Sequence, residues 1–283
     1  MSSAVHRSPL VARRDRTAGY PRAVPELPEV ESYRRLAERA LGRTVLSVAT
    51  PDPWFLKGGV DGATLAAALE GRAFTEARRI GKLLLLDTAE GPTVGIRFGM
   101  TGTLVVDDNA GVDQLLYAPR RHDPAWDRVT VHFADGGSMA VRDPRRLGGV
   151  SLDPDVSGMG PDAATATGAQ LARAFEGSHA PLKARLLDQS RVSGIGNLMA
   201  DEVLWRAGLS PLRPAGDLSS SEVRRLHRHL RRVVADLMDR GGSHRGDLME
   251  HRHVGGHCPR DGVGLTRSTV GGRTSWWCPG HQV

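Results

Sequence analysis

Pro25-Glu26-Leu27-Pro28-Glu29-Val30-Glu31 heads a segment in which Val30, Tyr33, Leu36, Ala37 and Ala40 recur at helical spacing. Residues 29–41 therefore read as one long amphipathic helix, with Pro28 tolerated in its first turn. The proline and glutamate ahead of it carry chemistry. A proline that begins a chain is a free secondary amine, able to attack a sugar carbon and form an iminium, with the neighbouring carboxylic acid as proton donor. An internal proline is an amide and cannot do this, and Pro25 follows 24 other residues.

Those residues hold five arginines against one acid, Asp15, and lack an apolar h-region, so they do not read as a secretory signal. We expect residues 1–24 to be an extension outside the active protein. Val24 would be a GUG initiator read as methionine, and removal of that methionine would expose Pro25.

Beyond the first helix, segments 45–49, 73–79, 83–87, 93–98, 101–106, 128–134 and 138–142 are short, rich in β-formers and separated by Gly, Asp and Pro. They predict an antiparallel sandwich or barrel, with a short helix at 63–69 packed on it. After Asp153-Pro154 the pattern turns helical: 170–176, 181–189, 197–207 and 221–240, the last begun by a capping box, Ser219-Ser220-Ser221-Glu222. From Gly241 onward glycine and histidine become frequent, and the chain ends in a small module. The expectation is an α+β protein divided at 25–155, 156–246 and 247–283.

Its 283 residues, 40% of them hydrophobic, can bury a sizeable core. No apolar run approaches the roughly 18 residues of a membrane span. A formal charge of +6 and a pI near 10.0 favour an anionic partner such as nucleic acid. Among 38 basic residues only Lys57, Lys82 and Lys183 are lysine. Where arginine serves everywhere else, a retained lysine hints at a need for an ammonium that can give and take a proton.

Cys258 and Cys278 are the only cysteines, too few for a disulfide scaffold. With Asp261 and His281 they form C-x2-D, a gap of 16, then C-x2-H. Cysteine and histidine are ordinary zinc ligands and aspartate a rarer one. His257 or His253 in place of Asp261, or a hairpin without metal, are the alternatives.

The heptapeptide at 25–31 resembles the mature N-terminus of the formamidopyrimidine-DNA glycosylase and endonuclease VIII family. Further motifs follow in family order over residues 25–283. Leu182 to Gln189, the turn Ser193-Gly194-Ile195-Gly196-Asn197 and the segment to Glu202 are similar to its helix-two-turn-helix. Arg78-Arg79-Ile80-Gly81-Lys82 resembles the strand bearing its catalytic lysine. Phe98-Gly99-Met100-Thr101-Gly102 and Asp143-Pro144-Arg145-Arg146-Leu147-Gly148 look like its void-filling loops, and Gly272 to Pro279 looks like the tip of its zinc finger.

The resemblance implies a β-sandwich with a long N-terminal helix, a helix-two-turn-helix domain and a C-terminal zinc-finger hairpin holding one structural zinc on Cys258, Asp261, Cys278 and His281. It implies a bifunctional DNA glycosylase and abasic-site lyase of base excision repair: a monomer acting on damaged double-stranded DNA, cytoplasmic and nucleoid-associated in a bacterium. Pro25, Glu26, Lys82 and Arg273 would be catalytic. Met100, Arg145 and Leu147 would plug the gap left by a flipped nucleotide, with Arg145 facing the orphaned base. Lys183 and Asn197 would hold the DNA backbone, Asn197 alternatively capping its helix, and His122 or Arg128 would add a DNA contact. One departure bears on the substrate. Ser243 runs to Cys258 in only 15 steps, where formamidopyrimidine-type relatives have a longer segment that caps 8-oxoguanine. A binding protein of the same fold with its proline blocked is the competing reading, as is an unrelated helical nucleic-acid binder with a zinc ribbon.

Overall fold

The computed structural model describes residues 25–112 and 123–283. Residues 1–24, and Arg121 and His122, lie outside the described residues.

Helix α1 spans Leu27–Ala37, shorter than the periodicity suggests. Glu38–Ala40 tightens into a 3-10 turn, and Gly42, with φ +73°, swings the chain into strand β1, Val45–Ala49. Helix α2 (Gly62–Leu69) starts on Asp61, whose side chain accepts from Thr64 N. The strands that follow are β2 (Phe74–Ile80), β3 (Leu83–Thr88), β4 (Val94–Arg97), β5 (Thr103–Val106), β6 (Asn109–Ala110), β7 (Asp127–Phe133), β8 (Ser138–Arg142) and β9 (Gly149–Leu152). They form two antiparallel sheets, ordered β1-β7-β8-β5-β6 and β2-β3-β4-β9. The sequence pattern did not reveal β6 or β9. Strand β9 is four residues long and is secured by pairing with β4.

Apolar side chains of both sheets and of α1 close one core, with Tyr33 stacked on Phe98 at 4.4 Å between ring centroids. A second core lies among α3 (Gly168–Phe175), α4 (Leu182–Leu187), α5 (Asn197–Ala207) and α6 (Ser220–Asp239). The capping box at Ser219 and Glu222 is formed. Leu27 is buried in this helical core, while Val30, Tyr33 and Ala37 of the same helix are buried in the sandwich core. Helix α1 thus belongs to both layers, and its first residues sit at the seam. Last come β10 (Thr266–Val270) and β11 (Arg273–Trp277). Gly271 and Gly272 join them with φ of +55° and +70°, as a two-residue hairpin turn requires.

Candidate active site

Pro25 and Glu26 are both buried where the sandwich meets the helices. Glu26 Oε1 accepts from Leu198 N at 2.8 Å, and Oε2 accepts from Met199 N at 2.9 Å and Gly196 N at 3.1 Å. The carboxylate therefore caps α5 from another helix, taking up amides that the start of a helix leaves without partners. Asn197 is not that cap; Gly196 is the cap residue and Asn197 the first helical one. The anion gathered by the Gly194-Ile195-Gly196 turn is the protein's own glutamate. A Cβ on Gly196 would lie 2.2 Å from Glu26 Cδ, so only glycine permits the approach.

Burial pushes the Glu26 carboxyl up to about 7; Lys82 opposes this, Glu29 adds to it, and the Met199 and Leu198 amides oppose it. Desolvation wins because the group is fully enclosed. Glu29 joins the site by accepting Glu26 N at 2.9 Å, and its other oxygen accepts Ser243 N at 2.6 Å and Ser243 Oγ at 2.8 Å. The capping-box spacing Glu26 to Glu29 is the signal that would have found it.

Lys82 stands in the turn between β2 and β3 and is half-buried. Its ammonium is pulled down by burial, held up by Glu26 and Glu29, and pushed down again by Arg273. Lys82, Glu26 and Arg273 are thus one electrostatic group. The turn is fixed by Asp162, which accepts Gly81 N at 2.7 Å and Arg79 Nη1 at 2.5 Å, while Arg79 Nε reaches Glu31 at 3.2 Å. Gly81 has φ +58°, and a Cβ there would lie 2.8 Å from Ser193 Cβ. Lys82 is thereby brought against the turn that cradles Glu26. Nearby, Ser193 Oγ and Asn197 Oδ1 are buried without hydrogen-bond partners among the described residues.

Met100 is half-buried, Arg145 exposed and Leu147 50% exposed. Their two loops touch: a Cβ on Gly99 would lie 2.4 Å from the Leu147 carbonyl carbon. Asp143, fully buried and missed in the sequence, organises the pair. It accepts Thr101 Oγ1 at 2.7 Å, Leu147 N and Gly148 N at 2.8 Å, and Arg145 N at 3.1 Å. Arg146, at φ +57°, is held by Asp52 through Nε at 2.6 Å and Nη2 at 2.7 Å. Arg128, a candidate DNA contact, instead donates through Nε to Asp143 O at 2.8 Å and braces this loop.

Lys183 does not stand where the resemblance put it. It is 0% exposed, its Nζ 2.7 Å from Asp201 Oδ1 and 3.0 Å from Thr274 O, so in this arrangement it cannot touch a DNA backbone. Asp201 also takes Arg252 at 2.7 Å, Ser275 Oγ at 2.9 Å and Trp276 N at 3.2 Å. This buried network joins α4, α5 and the hairpin, and so fixes the base from which the exposed Arg273 projects.

Cys258, Asp261, Cys278 and His281 converge, with one donor atom from each lying within 4.8 Å of the others. Both Asp261 oxygens are 3.3 Å from Cys278 Sγ, and His281 Nδ1 is 2.7 Å from Asp261 Oδ2. Trp205 Nε1–H and Arg260 N–H point at Cys258 Sγ, at 3.2 and 3.4 Å. His281 Nε2 lies 3.2 Å from Trp205 O, which leaves Nδ1 free to ligate. This donor set, with its supporting hydrogen bonds, fits a tetrahedral metal ion. His253 and His257 are exposed and outside the cluster.

A sandwich and a helical bundle that share a glutamate at their seam, with a hairpin tied to the bundle, make an α+β protein whose candidate site lies between its layers. Residues 24–150 match the formamidopyrimidine-DNA glycosylase N-terminal domain and residues 158–247 its H2TH domain, and the chain belongs to that family. A formamidopyrimidine-DNA glycosylase of Chloroflexus aggregans is 36% identical over 92% of this chain and 99% of its own. One from Thermus thermophilus is 34% identical over 92% and 98%. Among solved structures, wild-type Lactococcus lactis Fpg with a DNA containing N7-benzyl-Fapy-dG is 25% identical with a TM-score of 0.77, covering 91% of this chain and 99% of that one. The same enzyme with abasic-site DNA matches at 0.75.

Proposed function

We propose that the protein is a bifunctional DNA glycosylase and abasic-site lyase of base excision repair, working on damaged duplex DNA through a Schiff base on Pro25. The observation that carries this is the Glu26 carboxyl, buried next to Pro25 and raised to about 7, where it can still be protonated at neutral pH. The neutral Pro25 nitrogen attacks C1′; the base departs with the proton that the amine gives up, and Glu26 protonates the ring oxygen as the C1′–O4′ bond breaks, leaving a ring-opened Pro25 iminium. The resulting iminium makes the adjacent sugar proton acidic, and elimination cuts the strand. Lys82 and Arg273 sit within electrostatic reach of one another, a cationic pair suited to flanking phosphates, of which Lys82 alone can also move a proton during elimination. Asn197 is a candidate contact to the DNA backbone through its Nδ2 donor; its buried, unpartnered Oδ1 is an acceptor and cannot bind a phosphate oxygen.

This chemistry needs Pro25 as a first residue. The family match begins at residue 24, and relatives aligned over 98–100% of their own length leave 8–10% of this chain outside, which supports residues 1–24 as an extension. In a chain that keeps Met1, Pro25 is an amide, and that form would be a damage-binding protein only.

The structures of Lactococcus lactis Fpg are complexes with formamidopyrimidine, oxidised-pyrimidine and abasic-site DNA. We carry these classes over and place 8-oxoguanine behind them, because the short segment after α6 is drawn tight. Ser243 is held by Glu29, and Glu202 accepts Leu248 N at 2.9 Å. A zinc ion on Cys258, Asp261, Cys278 and His281 would brace the hairpin that carries Arg273 and take no part in the chemistry. We read the working form as a cytoplasmic monomer on nucleoid DNA; no described helix is long and apolar enough to cross a membrane. Base release from matched duplexes bearing each lesion tests the reading. Fastest release of 8-oxoguanine would overturn the substrate order, and no release of any lesion would overturn the glycosylase.

A further inference from the structure

Trp54 is the one aromatic among the exposed large apolar side chains of the described residues, at 67%. It is nevertheless held. Lys57 Nζ lies 4.6 Å from the centroid of its indole and donates to Trp54 O at 2.6 Å, a cation–π pair locked by a hydrogen bond. The 3-10 turn Pro53–Phe55 that carries it is anchored by Phe55, which is fully buried.

This turn is bolted to the loop expected to enter the DNA. Asp52 binds Arg146 through two hydrogen bonds, Lys57 N donates to Val150 O at 2.8 Å, and a Cβ on Gly148 would lie 3.0 Å from Phe55 Cζ. Residues 52–57 therefore run beside residues 146–150, next to Arg145 and Leu147. Asp52 is neutralised by Arg146 and lies 3.7 Å from Arg128, so the free charges on this rim are cationic. A rigid, solvent-facing indole with cations around it matches a ligand that has flat π-faces and negative charge, which is the chemistry of a nucleotide.

We propose that Trp54 and Lys57 form a stacking site for a nucleotide of the undamaged strand, next to the orphaned base that Arg145 is expected to face. Trp54 takes the base or sugar face, and Lys57 adds charge for its phosphate. The inference rests on the glycosylase reading, which places DNA against this rim.

The test measures affinity for a tetrahydrofuran-containing duplex with 2-aminopurine placed one nucleotide to either side of the orphaned base, or at equivalent positions in the damaged strand. Protein begun at Pro25 is compared with Trp54→Ala, Trp54→Phe and Leu46→Ala. Leu46 is 64% exposed and sits at the far end of β1. Trp54→Ala should weaken binding by roughly fivefold to thirtyfold, as expected for one lost base–aromatic stack. Trp54→Phe should recover most of the loss and Leu46→Ala should show none. The aminopurine signal should change in the undamaged strand only. Affinity of Trp54→Ala within about twofold of native, an equal loss in Leu46→Ala, or a change confined to the damaged strand would each overturn the proposal. Borohydride trapping of the unsubstituted protein on a natural abasic duplex separates the two readings. Trapping together with an indifferent Trp54→Ala sinks only the stacking site, whereas no trapping sinks the glycosylase beneath it.

Discussion

On the proposed mechanism, the pH dependence of base excision follows from two groups. Glu26 must be protonated to act as the acid, and its carboxyl titrates near about 7. Pro25 must be neutral to attack, and a free α-amine ordinarily titrates at about 7.7 to 8.0. The acid thus loses its proton slightly before the amine does, so the productive state is a minority at every pH. Multiplying the two fractions gives a bell with its top at about pH 7.4, where roughly 7% of the enzyme is correctly protonated, falling about eightfold by pH 9 and about sixfold by pH 6. Single-turnover base release measured across this range should trace that bell, whose two apparent pKa values belong to the pair. Glu26→Gln should lower excision by about 10²- to 10⁴-fold and abolish the alkaline fall. Cleavage at a preformed abasic site needs only the neutral amine, so it should keep the acidic limb alone and survive Glu26→Gln. Excision that stays flat between pH 7 and 9, or equal loss of both activities in Glu26→Gln, would refute the acid role.

Lys183→Ala should cost about 3 kcal/mol in chemical denaturation, because it strands part of Asp201's buried charge, and should leave the salt dependence of DNA binding unchanged. A lower salt slope with unaltered stability would return Lys183 to the DNA. Gly196→Ala drives a methyl onto the Glu26 carboxyl, and base release should drop by about 10²-fold while the melting temperature moves only a few degrees; undiminished release would show that the Glu26 cradle is not needed. Cys278→Ser should remove bound metal and abolish strand nicking, and retained metal with normal nicking would refute the zinc-finger assignment.

The architecture was readable because its signals are local: helical spacing after Pro28, alternating strands broken by Gly and Asp, a capping box at Ser219. Contacts between distant residues were not. Glu26 and the amides of α5 are some 170 residues apart, and nothing near Gly196 says that its anion is a side chain of the protein. Nothing in the sequence around Asp52, Asp143, Asp162 and Asp201 sets them apart from surface acids; only the fold brings each to its partners. Lys183 was misjudged for the complementary reason, since a fully buried lysine is rare and its enclosure depends on Asp201 and on a hairpin 91 residues away. Cys258, Asp261, Cys278 and His281, by contrast, were found from spacing, because a two-residue gap at each end of a hairpin already fixes where the donors meet.

On the proposed mechanism Pro25 is the nucleophile once it begins the chain. Borohydride trapping on an abasic-site duplex, comparing protein begun at Met1 with protein begun at Pro25, each N-terminus checked by intact mass, tests it most directly. A covalent adduct is expected only with exposed Pro25, with the sugar remnant on the peptide that begins at that residue. An adduct mapped to Lys82, or no adduct with either form, would contradict it.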